Sequence, residues 1–322
     1  MTALFKKKTN FLILKVSIVL STYAYIAYKI YNSKEIPQFL LGNFVFNRIK
    51  VSIIIIVFFL MIVNWLLEAV KWKILVKKII KINVAQSLYS VLAGISVGIF
   101  TPNRLGEFVG RPYFLDKLKM VPGFFAAVVG SLSQSFITIL IGILSINLYL
   151  LGNQDMLSIS KTYIYLILTF SVLLIIFIGY AYFNPVFLVK LKRKFGVFKK
   201  REEELQFLAS YKLKELLNIL FFSFSRYAVF FIQFYLLLVF FNIEISGYNA
   251  FIAIGLIYLF LLVIPGFALS EIGVRGSLAI FFLGMFSNDY SAILLATISL
   301  WIINLALPAI WGTFIVMYGK FK

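Results

Sequence analysis

The sequence contains no cysteine and no histidine. That excludes thiol nucleophiles, disulfides, thiolate or imidazole metal sites, haem held by histidine, and any Ser-His-Asp triad. With nothing to oxidise, cysteine usage says nothing about redox compartment. Charge is scarce as well: Asp, Glu, Lys and Arg make up 13% of the chain, about half of the ~25% usual in soluble domains. Acidic groups are the scarcest, 12 against 31 Lys and Arg. No segment matches the phosphate-cradling pattern GxxxxGK[ST], so there is no recognisable ATP engine.

What the chain has in excess is apolar surface. Over 322 residues, 62% are hydrophobic and the mean hydropathy is +0.99, far above what a water-soluble domain of this length carries. The chain belongs in a bilayer. Its net charge of +19 then reads as Lys and Arg gathered on cytoplasmic loops against anionic headgroups, with no nucleic-acid partner. The aromatic load of 36 Phe, 18 Tyr and 4 Trp reads mostly as lipid-facing bulk and interfacial belt.

A spanning helix needs ~20 mostly apolar residues. Six stretches qualify: 11–31, 51–72, 123–151, 162–183, 215–241 and 291–318. The first follows Lys6-Lys7-Lys8, is rich in tyrosine (Tyr23, Tyr25, Tyr28, Tyr31), and lacks a small-residue cleavage site, so it reads as a helix rather than a signal peptide. Two further apolar stretches, 84–101 with 105–115 and 248–264 with 273–286, are short and break at charged, proline- and glycine-bearing segments.

Basic residues cluster at the N-terminus, in 71–83 (Lys71, Lys73, Lys77, Lys78, Lys81), in 184–214 (nine Lys and Arg) and at Lys320 and Lys322. All four clusters are expected on the cytoplasmic side. The 32–50 loop, with Lys34, Arg48 and Lys50, is a mild exception. With 71–83 and 184–214 both inside and two full helices between 122 and 184, the 84–122 segment must enter and leave on one face. The same counting makes 248–288 dip in from outside. The sequence thus predicts an all-α polytopic membrane protein with six full spanning helices and two re-entrant helical hairpins (84–115 and 248–286), both termini cytoplasmic, in a bacterial cytoplasmic membrane. The 190–204 run reads as a solvated loop or an interfacial amphipathic helix.

The two hairpin tips share a pattern. One reads Thr101-Pro102-Asn103-Arg104-Leu105-Gly106-Glu107, continuing to Arg111; the other reads Ile264-Pro265-Gly266, continuing through Ser270 and Glu271 to Arg275. Each has a proline, a small residue and then Glu-x-x-x-Arg. Residues 1–152 and 153–322 therefore read as two membrane repeats of one plan, helix, helix, hairpin, helix, starting from opposite faces. That is an inverted-topology repeat, with its site expected near the midplane.

Charge at membrane depth costs ~2.5–3.5 kcal/mol per residue on insertion scales and marks function. Arg104, Glu107, Arg111, Arg226, Glu271 and Arg275 stand out on that ground. Glu68, a turn before the end of its helix, reads as closer to the interface. Glu107 with Arg111 and Glu271 with Arg275 are i, i+4 pairs in the favourable order, so each glutamate either neutralises its arginine or titrates. The arginines are the better anion-binding groups. Guanidinium forks suit phosphate oxygens, and half-helix N-termini after Pro102 and Pro265 are expected to aim N–H groups at an anion. A surplus of arginine over glutamate favours an anionic headgroup over a metal ion, and no cofactor is expected. Asn103, Ser270, Ser131, Ser133 and Gln134 are hydrogen-bonding neighbours. Gly94 with Gly98, and Gly106 with Gly110, space small residues for helix packing within or between chains.

These residues resemble a known family. Asn64-Trp65 through Lys71-Trp72-Lys73-Ile74-Leu75, the Thr101-Pro102-Asn103-Arg104 to Glu107 tip and the Ile264-Pro265 to Gly273-Val274-Arg275 tip are similar to the transmembrane region of bacterial lysylphosphatidylglycerol synthases and the flippase-like proteins grouped with it. The resemblance implies two inverted re-entrant hairpins around a lipid cavity lined by Arg104, Glu107, Arg111, Glu271 and Arg275, and a role in moving lipid between leaflets. The full-length synthases continue into a soluble aminoacyl-transferring domain, whereas this chain stops at Lys322, so the resemblance implies the translocating part alone.

Three functions remain open on the sequence. The leading one is a lipid translocase without its own ATPase, with anionic phospholipid or polyprenyl-phosphate lipid as partner. The second is a membrane enzyme acting on polyprenyl-phosphate or phospholipid headgroups, which needs a nucleophile or paired carboxylates beside the phosphate. Ser270 is the only hydroxyl immediately beside a tip glutamate, and the 32–50 loop offers only Glu35. The third is an auxiliary subunit serving an enzyme of envelope-lipid biosynthesis.

Overall fold

A computed structural model describes residues 20, 23–31, 47–101, 104–114, 119–154, 160–184, 207–208, 210–264 and 268–318. Among them there are helices and no strand. The N-terminal candidate helix 11–31 is described at residue 20 and over 23–31, all helical, and its other residues lie outside the described ones. The 190–204 run also lies outside them.

The long helices follow the apolar runs, and their starts follow capping chemistry. Helix α1 (Arg48–Val76) begins where the Asn47 side chain accepts from the Lys50 N–H at 2.9 Å. Helix α2 (Val84–Gly98) begins at a reciprocal capping box, in which Asn83 and Gln86 each accept from the other's backbone N–H, at 2.8 and 2.9 Å. Beyond the first tip lies only a single turn, α3 (Glu107–Gly110), and then the 3₁₀ turn Pro112–Phe114. The expected returning half-helix 105–115 is therefore irregular. The N–H groups of Phe108, Val109 and Gly110 are bonded to the carbonyls of Leu105 and Gly106, so this turn does not offer them to an anion.

Helices α4 (Met120–Gly152), α5 (Lys161–Phe183) and α6 (Leu213–Phe240) follow. The second hairpin is α7 (Gly247–Val263), opened by a Ser246 cap on Asn249 N–H, and α8 (Ala268–Leu283), which starts five residues before the expected 273. The last crossing is α9 (Tyr290–Trp301), a π-helical segment Ile302–Ala306, and α10 (Leu307–Tyr318). Among the described residues five helices are long and apolar enough to cross a membrane: α1, α4, α5, α6 and the joined α9–α10. Helix α5 buries little and turns Leu166, Phe170, Leu173 and Phe177 outward. In lipid such a face costs nothing.

Helices α1 and α6 run antiparallel against each other at the centre. Their cross-links fix the register: Gln233 Nε2 donates to Val57 O at 2.9 Å, Lys71 Nζ to Ser223 Oγ at 3.5 Å, and Tyr211 OH to Leu75 O at 2.7 Å. Two apolar clusters sit at opposite ends of this pair. One gathers Ile53 and Val57 with Phe234, Leu237 and the inner faces of α7, α8 and α9. The other gathers Trp72 and Leu75 with Leu216, Ile219 and residues of α2 and α4. Asn64, Glu68 and Lys71 of α1 fall between Val57 and Leu75, and Ser223 and Arg226 of α6 fall between Ile219 and Phe234. Around this centre the hairpin arms pack crosswise, with α2 against α10 and α7 against α4.

The first hairpin closes on glycine. A Cβ at Gly110 would lie 2.9 Å from Gly94 Cα, and one at Gly106 would lie 2.6 Å from Val97 O. The small-residue spacings noted in the sequence thus seat the returning arm on α2 within one chain. Ser90 holds the same joint, accepting from Trp72 Nε1 at 2.9 Å and donating to Arg111 O at 2.5 Å, all fully buried or nearly so. Ser90→Ala leaves a buried N–H and a buried carbonyl without those partners. It should lower stability by about 1–3 kcal/mol in an equilibrium unfolding titration in mixed micelles. A loss below about 0.5 kcal/mol would mean the joint does not depend on this hydroxyl.

Candidate functional site

The polar layer is centred on Glu68, which is 1% exposed. Asn64, Glu68 and Lys71 stand at i, i+4 and i+7 on one face of α1. That face meets Arg226, in the middle of α6, and Arg111, just after α3. Glu68 Oε1 accepts from Arg111 Nη1 at 2.5 Å, and Oε2 accepts from Lys71 Nζ at 2.7 Å and from Arg226 Nη1. One carboxylate therefore faces three cations. Arg111 also reaches Glu107 Oε2 at 2.7 Å, and Arg226 Nε donates to Asn64 Oδ1 at 2.8 Å. Asn64 in turn reaches Asn304 at 3.4 Å. Asn304 sits in the π-helical segment, where the wider turn breaks the α-register of the last crossing.

The second hairpin supplies the other group. Glu271 Oε1 accepts from Arg275 Nε and Nη2 at 3.0 and 2.8 Å, and from Arg104 Nη2 at 2.5 Å. Arg104 comes from the tip of the first hairpin, so this bridge ties the two tips together. Its backbone has φ of 56°, the left-handed region that ordinary L-residues avoid. Such strain persists only where surrounding contacts hold it, and here the arginine's ion pair is such a contact.

Both groups border one cavity of about 340 Å³. Lys71, Arg104, Arg111, Arg226 and Arg275 line it, with Glu68 and Glu107. Counting Glu271, which is bonded to two of these arginines, five basic groups face three acidic ones and leave two positive charges in excess. Exposed Ser131 and Leu262 also border the cavity and mark where it opens.

Most of the residues singled out by sequence converge here. Arg104, Glu107, Arg111, Arg226 and Arg275 line the cavity, and Glu271 braces it. Gln134 lines it too, with Oε1 3.5 Å from Arg226 Nη1. Ser133 turns aside to Ser223, 2.7 Å away, and does not line it. Asn103 lies outside the described residues, as do Pro102, Pro265 and the side chain of Ser270.

Two readings are corrected. Glu68, read as the more ordinary of these charges, is the buried hub of the network. Lys71 is not a loop lysine: it is 1% exposed inside α1, bound to Glu68. Position along the helix misled in both cases, because α1 runs on to Val76. The i, i+3 spacing of Glu68 and Lys71 within that apolar stretch is the local signal that would have found them.

The fold and site define an all-α integral membrane protein with a cation-rich cavity between its helices. Residues 43–312 match the family described as the lysylphosphatidylglycerol synthase TM region, and the chain belongs to that family. No curated protein and no solved structure matches the chain. Family membership sets the chain among membrane proteins of lipid metabolism or transport, associated with membrane phospholipids.

Proposed function

We propose that the protein is a lipid translocase that binds an anionic phosphate headgroup near the bilayer midplane and passes it between leaflets without its own ATPase. The carrying observation is the excess of two positive charges around a buried cavity of about 340 Å³. Burying charge is expensive, and the glutamates offset only part of it, so an anion completes the balance. The volume is near the lower end of the ~300–1,000 Å³ range of ligand sites. It suits a headgroup, with acyl chains left in lipid beyond the mouth at Leu262.

The reading includes two inverted repeats, 1–152 and 153–322, with 84–115 and 248–286 entering and leaving on one face each. The crosswise packing supports it. The first arm of each hairpin lies against the last helix of the other repeat, and the two central helices α1 and α6 pair antiparallel. The charged layer between two apolar clusters supports a site at mid-depth, where broken helices meet in such repeats. A cytoplasmic-membrane setting with both termini inside follows from the loop charges. For the enzyme reading, Ser131, Ser135 and Thr138 line the cavity, whereas Ser223, the hydroxyl beside the buried lysine, does not.

The test is translocation of headgroup-labelled anionic and zwitterionic phospholipids in proteoliposomes. Wild type should move an anionic lipid, and Arg226→Ala and Arg275→Ala, each verified as folded, should slow it at least tenfold. Hydrolysis or transfer of a phospholipid or polyprenyl phosphate without translocation would replace this reading with the enzyme. Neither activity would leave an auxiliary subunit.

A further inference from the structure

Five basic groups border the cavity, and they are not chemically alike. Arg104, Arg111, Arg226 and Arg275 hold their charge at any pH the protein meets, whereas a lysine ammonium can give up its proton. Lys71 is the one lysine in the cavity wall, and it is 1% exposed. Its Nζ donates to Glu68 Oε2 at 2.7 Å, the same oxygen that accepts from Arg226. It also lies 3.5 Å from Ser223 Oγ, which is 2.7 Å from Ser133 Oγ. Ser133 in turn donates to Gly130 O at 2.7 Å.

This buried hydroxyl pair suits either form of the lysine. Ser223 accepts from an ammonium while donating to Ser133, and a rotated O–H lets it donate to a neutral amine. The charged groups around Lys71 are Glu68 on its own helix, Arg226 on α6, and Arg111 with Glu107 on the returning arm. Helices α2 and α4, which also pack on α1, carry no charged residue. The titratable phenols of Tyr227 and Tyr258 border the same cavity.

Water has a route to the lysine. Trp65, Tyr227, Tyr258 and Trp301 line the cavity, and each carries a buried N–H or O–H with no partner among the described residues. Arg111 Nε shares that condition. Buried polar groups ordinarily find a partner in protein or water, and about 340 Å³ has room for several waters. These four uncharged donors come from α1, α6, α7 and α9. They mark a hydrated space, opening past Ser131 and Leu262, through which a proton passes to Lys71.

Charge balance then couples proton to anion. With every group ionised, the site carries two positive charges in excess. A singly charged phosphodiester lowers that excess to one, and so does loss of the Lys71 proton from the empty site. An anion on Arg111 and Arg226 competes with Glu68 for both, leaving Lys71 as the closest counter-ion of that carboxylate. Because charge at this depth is costly, the favoured states are empty with a neutral amine and loaded with an ammonium.

We infer that Lys71 is a proton-coupling site, and that one proton enters with each singly charged phosphate headgroup and leaves with it in the other leaflet. The N–H bond formed at Nζ takes its proton from solvent through the cavity water and returns it there on release. The pair crosses with no net charge, so a pH gradient drives it. This rests on the anionic-headgroup reading above and adds the coupling ion.

The test is calorimetric binding of water-soluble dihexanoyl phosphatidylglycerol to the full-length chain in detergent. Its phosphodiester keeps one negative charge throughout, and buffers of different ionisation enthalpy count the protons taken up. Between about pH 7 and about pH 10, uptake by wild type should peak at no less than about half a proton per headgroup. Over that window affinity should fall by up to about tenfold per pH unit. Lys71→Arg is charged at every pH and Lys71→Met at none. Both should lose the proton uptake and the pH dependence, whatever their absolute affinity. In proteoliposomes, wild type should accumulate labelled phosphatidylglycerol in the leaflet facing the alkaline side, while Lys71→Arg should only equalise the leaflets.

Binding without proton uptake in wild type, or uptake that survives in both variants, would overturn Lys71 as the proton site and leave the anionic-headgroup reading standing. Lipid movement indifferent to the gradient would overturn co-transport and keep the translocase. Proton-linked binding with no movement in vesicles would keep the linkage at Lys71 and remove the translocase. No binding at any pH would remove both this inference and the anionic-headgroup reading.

Discussion

Replacing Glu68 by Gln should destabilise the protein by about 3–5 kcal/mol, the usual consequence of removing one partner from a buried ion pair. The residue is 1% exposed and its two oxygens serve Arg111, Lys71 and Arg226. A neutral amide leaves three cations with far less compensation. Arg111 keeps Glu107 and Arg226 keeps Asn64, but Lys71 is left with Ser223 at 3.5 Å. Lys71 should therefore carry most of the penalty. The double change Glu68→Gln with Lys71→Met should recover more than about 1 kcal/mol, a coupling typical of residues in one network. Equilibrium unfolding in mixed micelles measures both. A single variant within about 1 kcal/mol of wild type would mean that the three cations are balanced by something other than this carboxylate.

The second large effect is steric. A Cβ at Gly312 would press on Leu92 O, with Leu92 C at 2.7 Å and Ser96 Cβ at 3.2 Å. The first two atoms are backbone and cannot rotate aside. Ala gains up to about 1 kcal/mol over Gly in helix propensity, while forcing extra volume into a packed contact costs about 1–3 kcal/mol. The clash should win, modestly for Gly312→Ala and by about 3 kcal/mol or more for Gly312→Leu. Because α2 also seats Glu107 and Arg111 through Gly98 and Gly94, moving α10 off α2 should slow translocation as well. Gly247→Ala is the control. A Cβ there meets nothing within 4 Å, so stability should stay within about 1 kcal/mol. If Gly312→Leu matches that control, α10 and α2 are not held at backbone contact.

Legibility differed between fold and site for physical reasons. Long apolar runs mark helices without reference to partners, so α4, α5, α6 and the last crossing lie within a few residues of the sequence reading. The arm after Arg104 was less legible. It stays irregular because Gly106 and Gly110 bring its backbone onto α2, which depends on two segments meeting rather than on either alone. In the site, the tip arginines and glutamates announced themselves by being charged where charge is costly. Glu68 and Lys71 did not, because their nearness to the helix end suggested the interface or a loop, and it is α6 and Arg111 of the returning arm, laid across α1, that close over them. The unpartnered indoles and phenols were invisible in the same way. Among 58 aromatic residues nothing local separates a lipid-facing ring from a cavity wall.

Composition and charge distribution alone determined that this is an all-helical protein of the bilayer, where its helices run, and that buried arginine is its chemical resource. They suffice because a membrane offers the backbone no hydrogen bonds, which forces helices wherever the chain is apolar long enough. The tertiary structure decided which charges meet. It brought the tip of one hairpin to the glutamate of the other, made one carboxylate of α1 the counter-ion of three cations, and left two positive charges and four uncharged donors around one cavity. Those outcomes depend on the register of α1 against α6 and on glycine-mediated contact between hairpin arms. Pairwise geometry between distant segments has no local signature in the chain.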